Sequence, residues 1–150
     1  MNRAHHLVAL YQIFTALAFV ALIPLGLWQD QAPDLTLLAP WLLAALVNLL
    51  AGAWLLKGRG LWWSALNLAL QVPGLALGDS LGGWQYHYQG LLTLDLWYQW
   101  YGSFSGSGLR FALEPDWLLL AEPGLTQSLH LNLVALAALI GLAWGMKKPG

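Results

Sequence analysis

The sequence predicts an all-α membrane protein, a bundle of four transmembrane helices with a small extracytoplasmic antiparallel β element between helices 3 and 4. Three observations carry that prediction. The 150 residues are 59% hydrophobic and only 9% charged, against roughly 25% charged in ordinary globular chains. Four apolar stretches free of Asp, Glu, Lys and Arg recur along the chain. The basic residues fall on one side of that pattern and the acidic residues on the other.

A spanning helix needs roughly 20 mostly apolar residues to cross about 30 Å of hydrocarbon. The stretches 7–28, 37–56, 61–78 and 128–146 meet or approach that length, and they make 1–150 a single membrane domain. Pro40 falls in the first turn of the second stretch, where a missing N–H costs little. Pro73 lies in the outer half of the third, which is the shortest. A cleaved signal peptide over 1–32 is disfavoured, because the apolar stretch is long for one and no small-x-small cleavage site follows.

Arg3 precedes the first stretch, Lys57 and Arg59 fill the turn between the second and third, and Lys147 and Lys148 follow the fourth. All seven acids lie in the other two connections, with Arg110 as the sole base there. The bias of Lys and Arg toward cytoplasmic loops puts both termini inside, in a multi-pass protein expected in a bacterial inner membrane.

Helices in lipid associate through close packing of small residues and through hydrogen bonds between polar side chains. Ala44 and Gly52, with Asn48 between them, share one helical face, as do Ala137, Gly141 and Gly145. Ser64, Asn67 and Gln71 make a polar stripe. Counting residues from the 57–60 turn sets Asn48 level with Asn67 and Gln71, and Gln12 at a similar depth. These residues, with Thr15, form an expected intramembrane polar cluster. Uncharged amides point to interhelical hydrogen bonds more than to an ion path, since functional intramembrane sites usually hold ionisable groups.

The outer segment, 79–127, is too long for a connector. Alternation marks strands around Trp84–Gln89, Leu92–Tyr101 and Leu109–Glu114. Between the last two, Gly102–Gly108 reads as a flexible hairpin loop, and Pro115–Glu122 reads as a short helix. Trp28, Trp41, Trp54, Trp62, Trp63 and Trp144 suit the membrane interface. Trp84, Tyr86, Tyr88, Trp97, Tyr98, Trp100 and Tyr101 exceed what anchoring needs and are expected to form an outer interaction surface.

The chain has no Cys and a net charge of −1, so no disulfide, thiolate chemistry or nucleic-acid footprint is expected. No catalytic motif and no metal-ligand spacing is present, and neither cofactor nor metal is expected. The candidate outer polar site is Asp79, His87, Asp95 and His130. Three functional expectations follow. The first is a non-catalytic membrane protein, surrounded by lipid, that assembles as a homo-oligomer or as an accessory subunit of another membrane protein. The second is an oligomeric channel or small-solute passage lined by amides. The third is an enzyme or carrier for a lipid-phase substrate at the outer interface, worked by the outer polar site.

Overall fold

The computed structural model describes residues 3–28, 35–78, 82–121 and 127–146. Among these it holds α1 (Arg3–Trp28), α2 (Leu35–Leu56), α3 (Leu61–Gln71), β1 (Pro73–Gly78), β2 (Gly83–Gln89), β3 (Thr93–Tyr101), β4 (Phe104–Ala112), β5 (Asp116–Leu120), β6 (Gln127–Asn132) and α4 (Leu133–Met146). The fold is α+β, which corrects the all-α four-span bundle and with it the tetraspan description. Among the described residues, only Arg3–Pro24 and Leu38–Leu56 are helices long and apolar enough to cross a membrane. At a rise of 1.5 Å per residue, the 11 residues of α3 and 14 of α4 extend about 16 and 21 Å.

The reason lies in two short runs that hydropathy scores like helix. The run 73–78 opens with Pro73, whose ring disfavours helix in the residue before it and whose missing N–H is tolerated at a strand start. The run 128–132 alternates polar and apolar residues, which is strand periodicity. Both become central strands. The segment read as a short helix after Pro115 is the strand β5, paired with β2 from Gln85↔Leu120 to Gln89↔Asp116.

The chain divides into a helical unit (Met1–Asn67 with Ala138–Gly150) and a sheet unit (Leu68–Ala137). In the helical unit α1 packs on α2 at Gly52, where a Cβ would come within 2.7 Å of the Ala9 carbonyl oxygen and 2.8 Å of Ile13 Cγ1. Ala44 is fully buried, and Phe19 meets Trp41 edge-on at 5.6 Å. The other small-residue face is open: Ala137 is exposed, and nothing lies within 4 Å of where a Gly141 Cβ would stand. Gly145 is half-buried.

Buried amides pair within the same unit. Gln12 Nε2 donates to the Ser64 carbonyl at 3.2 Å, and Ser64 Oγ lies 3.1 Å from Gln12 Oε1 and 3.0 Å from the Ala51 carbonyl. Asn67 Nδ2 donates to Asn48 Oδ1 at 2.8 Å, while Asn48 Nδ2 donates to the Ala44 carbonyl at 2.9 Å. Thr15 is buried and hydrogen-bonded to Tyr11. Gln71 is buried at the end of α3, in the sheet unit.

The sheet is six-stranded and antiparallel, ordered β4-β3-β6-β1-β2-β5. Gly102, with φ 56°, supplies the left-handed residue of a tight hairpin between β3 and β4. The predicted flexible loop Gly102–Gly108 is therefore mostly strand. Gly108 has a packing reason: a Cβ there would come within 3.0 Å of the Trp97 ring, whereas one on Gly106 would make an ordinary contact at 3.6 Å. The indole lies across the glycine backbone of the neighbouring strand.

The sheet curls. β4 and β5 are its two edges, yet Ala112 and Asp116 are joined by residues 113–115 alone. Four residue steps reach at most about 14 Å, whereas flat edges separated by five strand spacings would be about 24 Å apart. A shared pocket agrees, since Arg110 of β4 and Asp116 and Leu118 of β5 both line it.

Strand register sorts the side chains by chemistry. The concave face carries Arg110, Asp95, Thr93, Trp97, Gln99, Ser128, His130, Asn132, Gln85, His87, Gln89 and Asp116, together with Leu118, Ala76, Ala112, Tyr101 and Phe104. The convex face carries Leu94, Leu96, Tyr98, Trp100, Leu109, Phe111, Leu129, Leu131, Pro73, Leu75, Leu77, Trp84, Tyr86, Tyr88, Trp117 and Leu119, with Ser105, Ser107 and Gln127 toward the β3–β4 hairpin.

Candidate metal centre

Two aspartate–histidine pairs flank β1. Residue 130 of β6 stands opposite Gly74 of β1, and the register that pairs Leu75 with Tyr86 sets Gly74 beside His87 of β2. The two imidazoles lean toward each other over the glycine, their ring centroids 5.6 Å apart. A Cβ at residue 74 would approach His130 Cβ to 2.9 Å and His87 Cδ2 to 3.1 Å. Glycine is required there by space, not by backbone angle.

Each ring is held by a carboxylate one strand further out. His130 Nδ1 lies 2.6 Å from Asp95 Oδ2, and His87 Nδ1 lies 3.1 Å from Asp116 Oδ2. The remaining nitrogen of His130, Nε2, is 3.1 Å from Ser128 Oγ. The remaining nitrogen of His87, Nε2, is buried with no partner among the described residues, as is Asp95 Oδ1. The Asp95 side chain is 2% exposed. The His130 ring pairs with one oxygen of this enclosed carboxylate, and the other is left with unused capacity to accept a hydrogen bond or bind a cation.

One ligand atom from each of His87, Asp95 and His130 falls within 4.8 Å of the other two. An ion at the centre of such a triangle would lie at most about 2.8 Å from each atom, against about 2.0–2.2 Å in zinc sites, so an inward shift of well under 1 Å completes the shell. Two imidazoles and a carboxylate suit a first-row transition ion, whereas Ca²⁺ and Mg²⁺ take oxygen ligands. With His87 Nε2 and His130 Nδ1 as the ligating atoms, an ion would replace the proton now shared between His130 Nδ1 and Asp95, and Asp116 and Ser128 would hold the other nitrogen of each ring. Outer partners of this kind fix ring orientation and raise ligand basicity.

The centre opens into a cavity of about 170 Å³ lined by His87, His130, Ser128, Arg110, Asp116 and Gln85 among others. Arg110 makes no ion pair among the described residues. Two further buried atoms on this face, Gln89 Oε1 and Asn132 Nδ2, also lack partners. Asn132 Oδ1 is used instead to cap α4, accepting from the amides of Val134 at 3.1 Å and Ala135 at 3.2 Å.

Of the candidate outer polar site, His87, Asp95 and His130 come together; Asp79 lies outside the described residues. Asp116, Ser128, Arg110 and Gly74 were missed. Asp116 falls in the run 115–122 that reads as a short helix, and the others show no signal until strands separated in sequence are paired. The outer aromatics do not form one surface. Trp84, Tyr86, Tyr88, Tyr98 and Trp100 are on the convex face, Tyr88 being buried, while Trp97 and Tyr101 are on the concave side. The phenol of Tyr86 donates to the Leu70 carbonyl at 2.6 Å, satisfying an orphan acceptor at the end of α3. No family model, curated protein or solved structure matches the chain.

Proposed function

We propose that this protein is a membrane-attached, metal-dependent enzyme whose centre binds one divalent transition-metal ion through His87, Asp95 and His130. This takes up the third functional expectation, a site acting on a membrane-borne substrate at the interface. The observation that carries it is the pair of buried ligand atoms without partners, His87 Nε2 and Asp95 Oδ1, in a cluster whose rings are already held from behind. His87, Asp95 and His130 would hold the ion, which would supply an acidified water as nucleophile near neutral pH. The reaction class is hydrolysis. Arg110 at the cavity wall favours substrates bearing a carboxylate or phosphate.

Membrane attachment rests on the two helices long and apolar enough to cross a bilayer. More than one crossing, with both termini on the cytoplasmic side of a bacterial inner membrane, belongs to the same proposal. It is supported by the basic clusters Arg3, Lys57/Arg59 and Lys147/Lys148.

The test is metal stoichiometry of the full chain in nanodiscs, by elemental analysis after loading with Zn²⁺ and desalting. One ion per chain is expected, lost in His87→Ala and in His130→Ala. No retained zinc in the folded wild type would overturn the proposal. A second reading is favoured by one specific geometry: Ser128 Oγ, His130 and buried Asp95 form a nucleophile–base–orienter chain through Nε2 and Nδ1, the atoms such a relay uses. A serine-directed fluorophosphonate applied in excess chelator distinguishes the two. Labelling at Ser128 supports the relay, and its absence from zinc-binding protein supports the metal centre.

A further inference from the structure

The curled sheet is polar inside and apolar outside, the reverse of a barrel folded in water. On the convex side Leu119, Phe111, Leu109 and Leu129 are 68%, 63%, 63% and 50% exposed, and Leu96, Tyr98, Trp84 and Leu77 are each more than a third exposed. No Asp, Glu, Lys, Arg or His of the described strands falls on this face. Six strands about 4.8 Å apart and roughly 15–20 Å long present about 450–600 Å², the upper end of the largest apolar patch found on soluble monomers.

The face is also graded along the strands. At the hairpin end the register lines up Ser105, Trp100, Gln127, Leu77 and Trp84; one step on come Ser107, Tyr98, Leu129, Leu75, Tyr86 and Leu119. The next row is Leu109, Leu96, Leu131, Pro73, Tyr88 and Trp117, and the last is Phe111 with Leu94. The apolar end is the end where β1 leaves α3 and β6 runs into α4. An interface with another protein has an apolar centre and a polar rim all round. A bilayer instead imposes a one-directional gradient, with Trp, Tyr and small polar residues toward the headgroups and aliphatic residues deeper.

We infer that the exposed part of the convex face, outside the region of buried Tyr88, contacts lipid hydrocarbon, with the β3–β4 hairpin at the headgroup level and the Phe111/Leu94 row deepest. The inference is independent of what the concave centre binds. It also gives the polar interior its purpose, a hydrophilic cleft held at the membrane surface.

The chain has no Cys, so single cysteines report cleanly. Nitroxides at Ser105→Cys, Ser107→Cys, Leu109→Cys and Phe111→Cys, all exposed on β4, are placed in phosphatidylcholine/phosphatidylglycerol nanodiscs. Collision rates are then measured with oxygen, which partitions into lipid, and with a water-soluble nickel chelate. Concave-face Gln99→Cys and turn Ser103→Cys serve as aqueous references. The expected result is an oxygen-to-nickel ratio that rises at each step from residue 105 to residue 111 and exceeds both references at residues 109 and 111. Nickel accessibility at 109 and 111 equal to that at Gln99 would overturn the inference. So would low collision with both probes, which means protein covers the face, a second copy of this chain if the labels also broaden one another.

Discussion

His87 and His130 face each other across Gly74, on strands that are not neighbours, and each is bonded to an aspartate of the next strand out. The glycine is the hinge of that relationship, because it is the strand residue over which both rings must pass.

Gly74→Ala is therefore expected to separate the rings while leaving the sheet paired. The new methyl meets His130 Cβ at 2.9 Å, an overpacking contact of the kind that costs about 1–3 kcal/mol. Zinc affinity is expected to fall at least tenfold, measured by competition with a chromogenic chelator. Gly82→Ala, with nothing within 4 Å, is expected to leave it unchanged.

Asp116→Asn tests the outer partner of His87. Loss of the carboxylate that holds Nδ1 is expected to weaken metal binding by about 10–100-fold without abolishing it. His87→Ala abolishes it. Equal effects of the two variants would mean that Asp116 is itself a ligand.

Gly108→Ala tests the packing of Trp97. The methyl would stand 3.0 Å from the ring, whereas at Gly106 it would stand 3.6 Å away. Thermal unfolding is expected to show destabilisation of about 1–3 kcal/mol for Gly108→Ala and little change for Gly106→Ala. Trp97→Ala should relieve the Gly108→Ala penalty in a double-mutant cycle.

The helical unit offers its own cycle. Asn48→Leu removes the acceptor of the 2.8 Å bond from Asn67 and is expected to cost about 1 kcal/mol, as intramembrane hydrogen bonds do. Asn67→Leu added to it should cost less than the sum of the two singles, measured by unfolding in mixed micelles.

Burial holds the Tyr86 phenol above its ordinary value of 10.0. The neutral form is the one the fold favours, so this contribution is intact below pH 10.0 and is lost as pH rises through the folded value. Tyr86→Phe is expected to remove the corresponding part of the stability decline above that pH, measured by denaturant midpoints on either side of it.

Helices α1 and α2 and strands β2 and β3 were legible in the sequence, whereas the division of the two later apolar runs was not. The apolar runs 61–78 and 128–146 are real, but each divides into a helix and a strand. Hydropathy scores Leu75 and Leu77 as it scores Leu66 and Leu68, and only Pro73 and the alternation Ser128-Leu129-His130-Leu131 mark the change. The alternation in 84–89 and 93–101 was readable because one face of each strand is polar. At the centre, His87, Asp95 and His130 had been named for their residue types alone. Their convergence depends on β6 inserting between β3 and β1, a non-local pairing, and local spacing carries no trace of it. Gly74 and Ser128 become meaningful only once that pairing is known.

X-ray absorption of the protein loaded with one equivalent of Co²⁺ or Zn²⁺ tests the central claim most directly. The account predicts a shell of nitrogen and oxygen at about 2.0–2.2 Å with the multiple-scattering signature of two imidazoles, one of which disappears in His87→Ala. A shell of oxygen alone, or a spectrum that His87→Ala and His130→Ala leave unchanged, would contradict it.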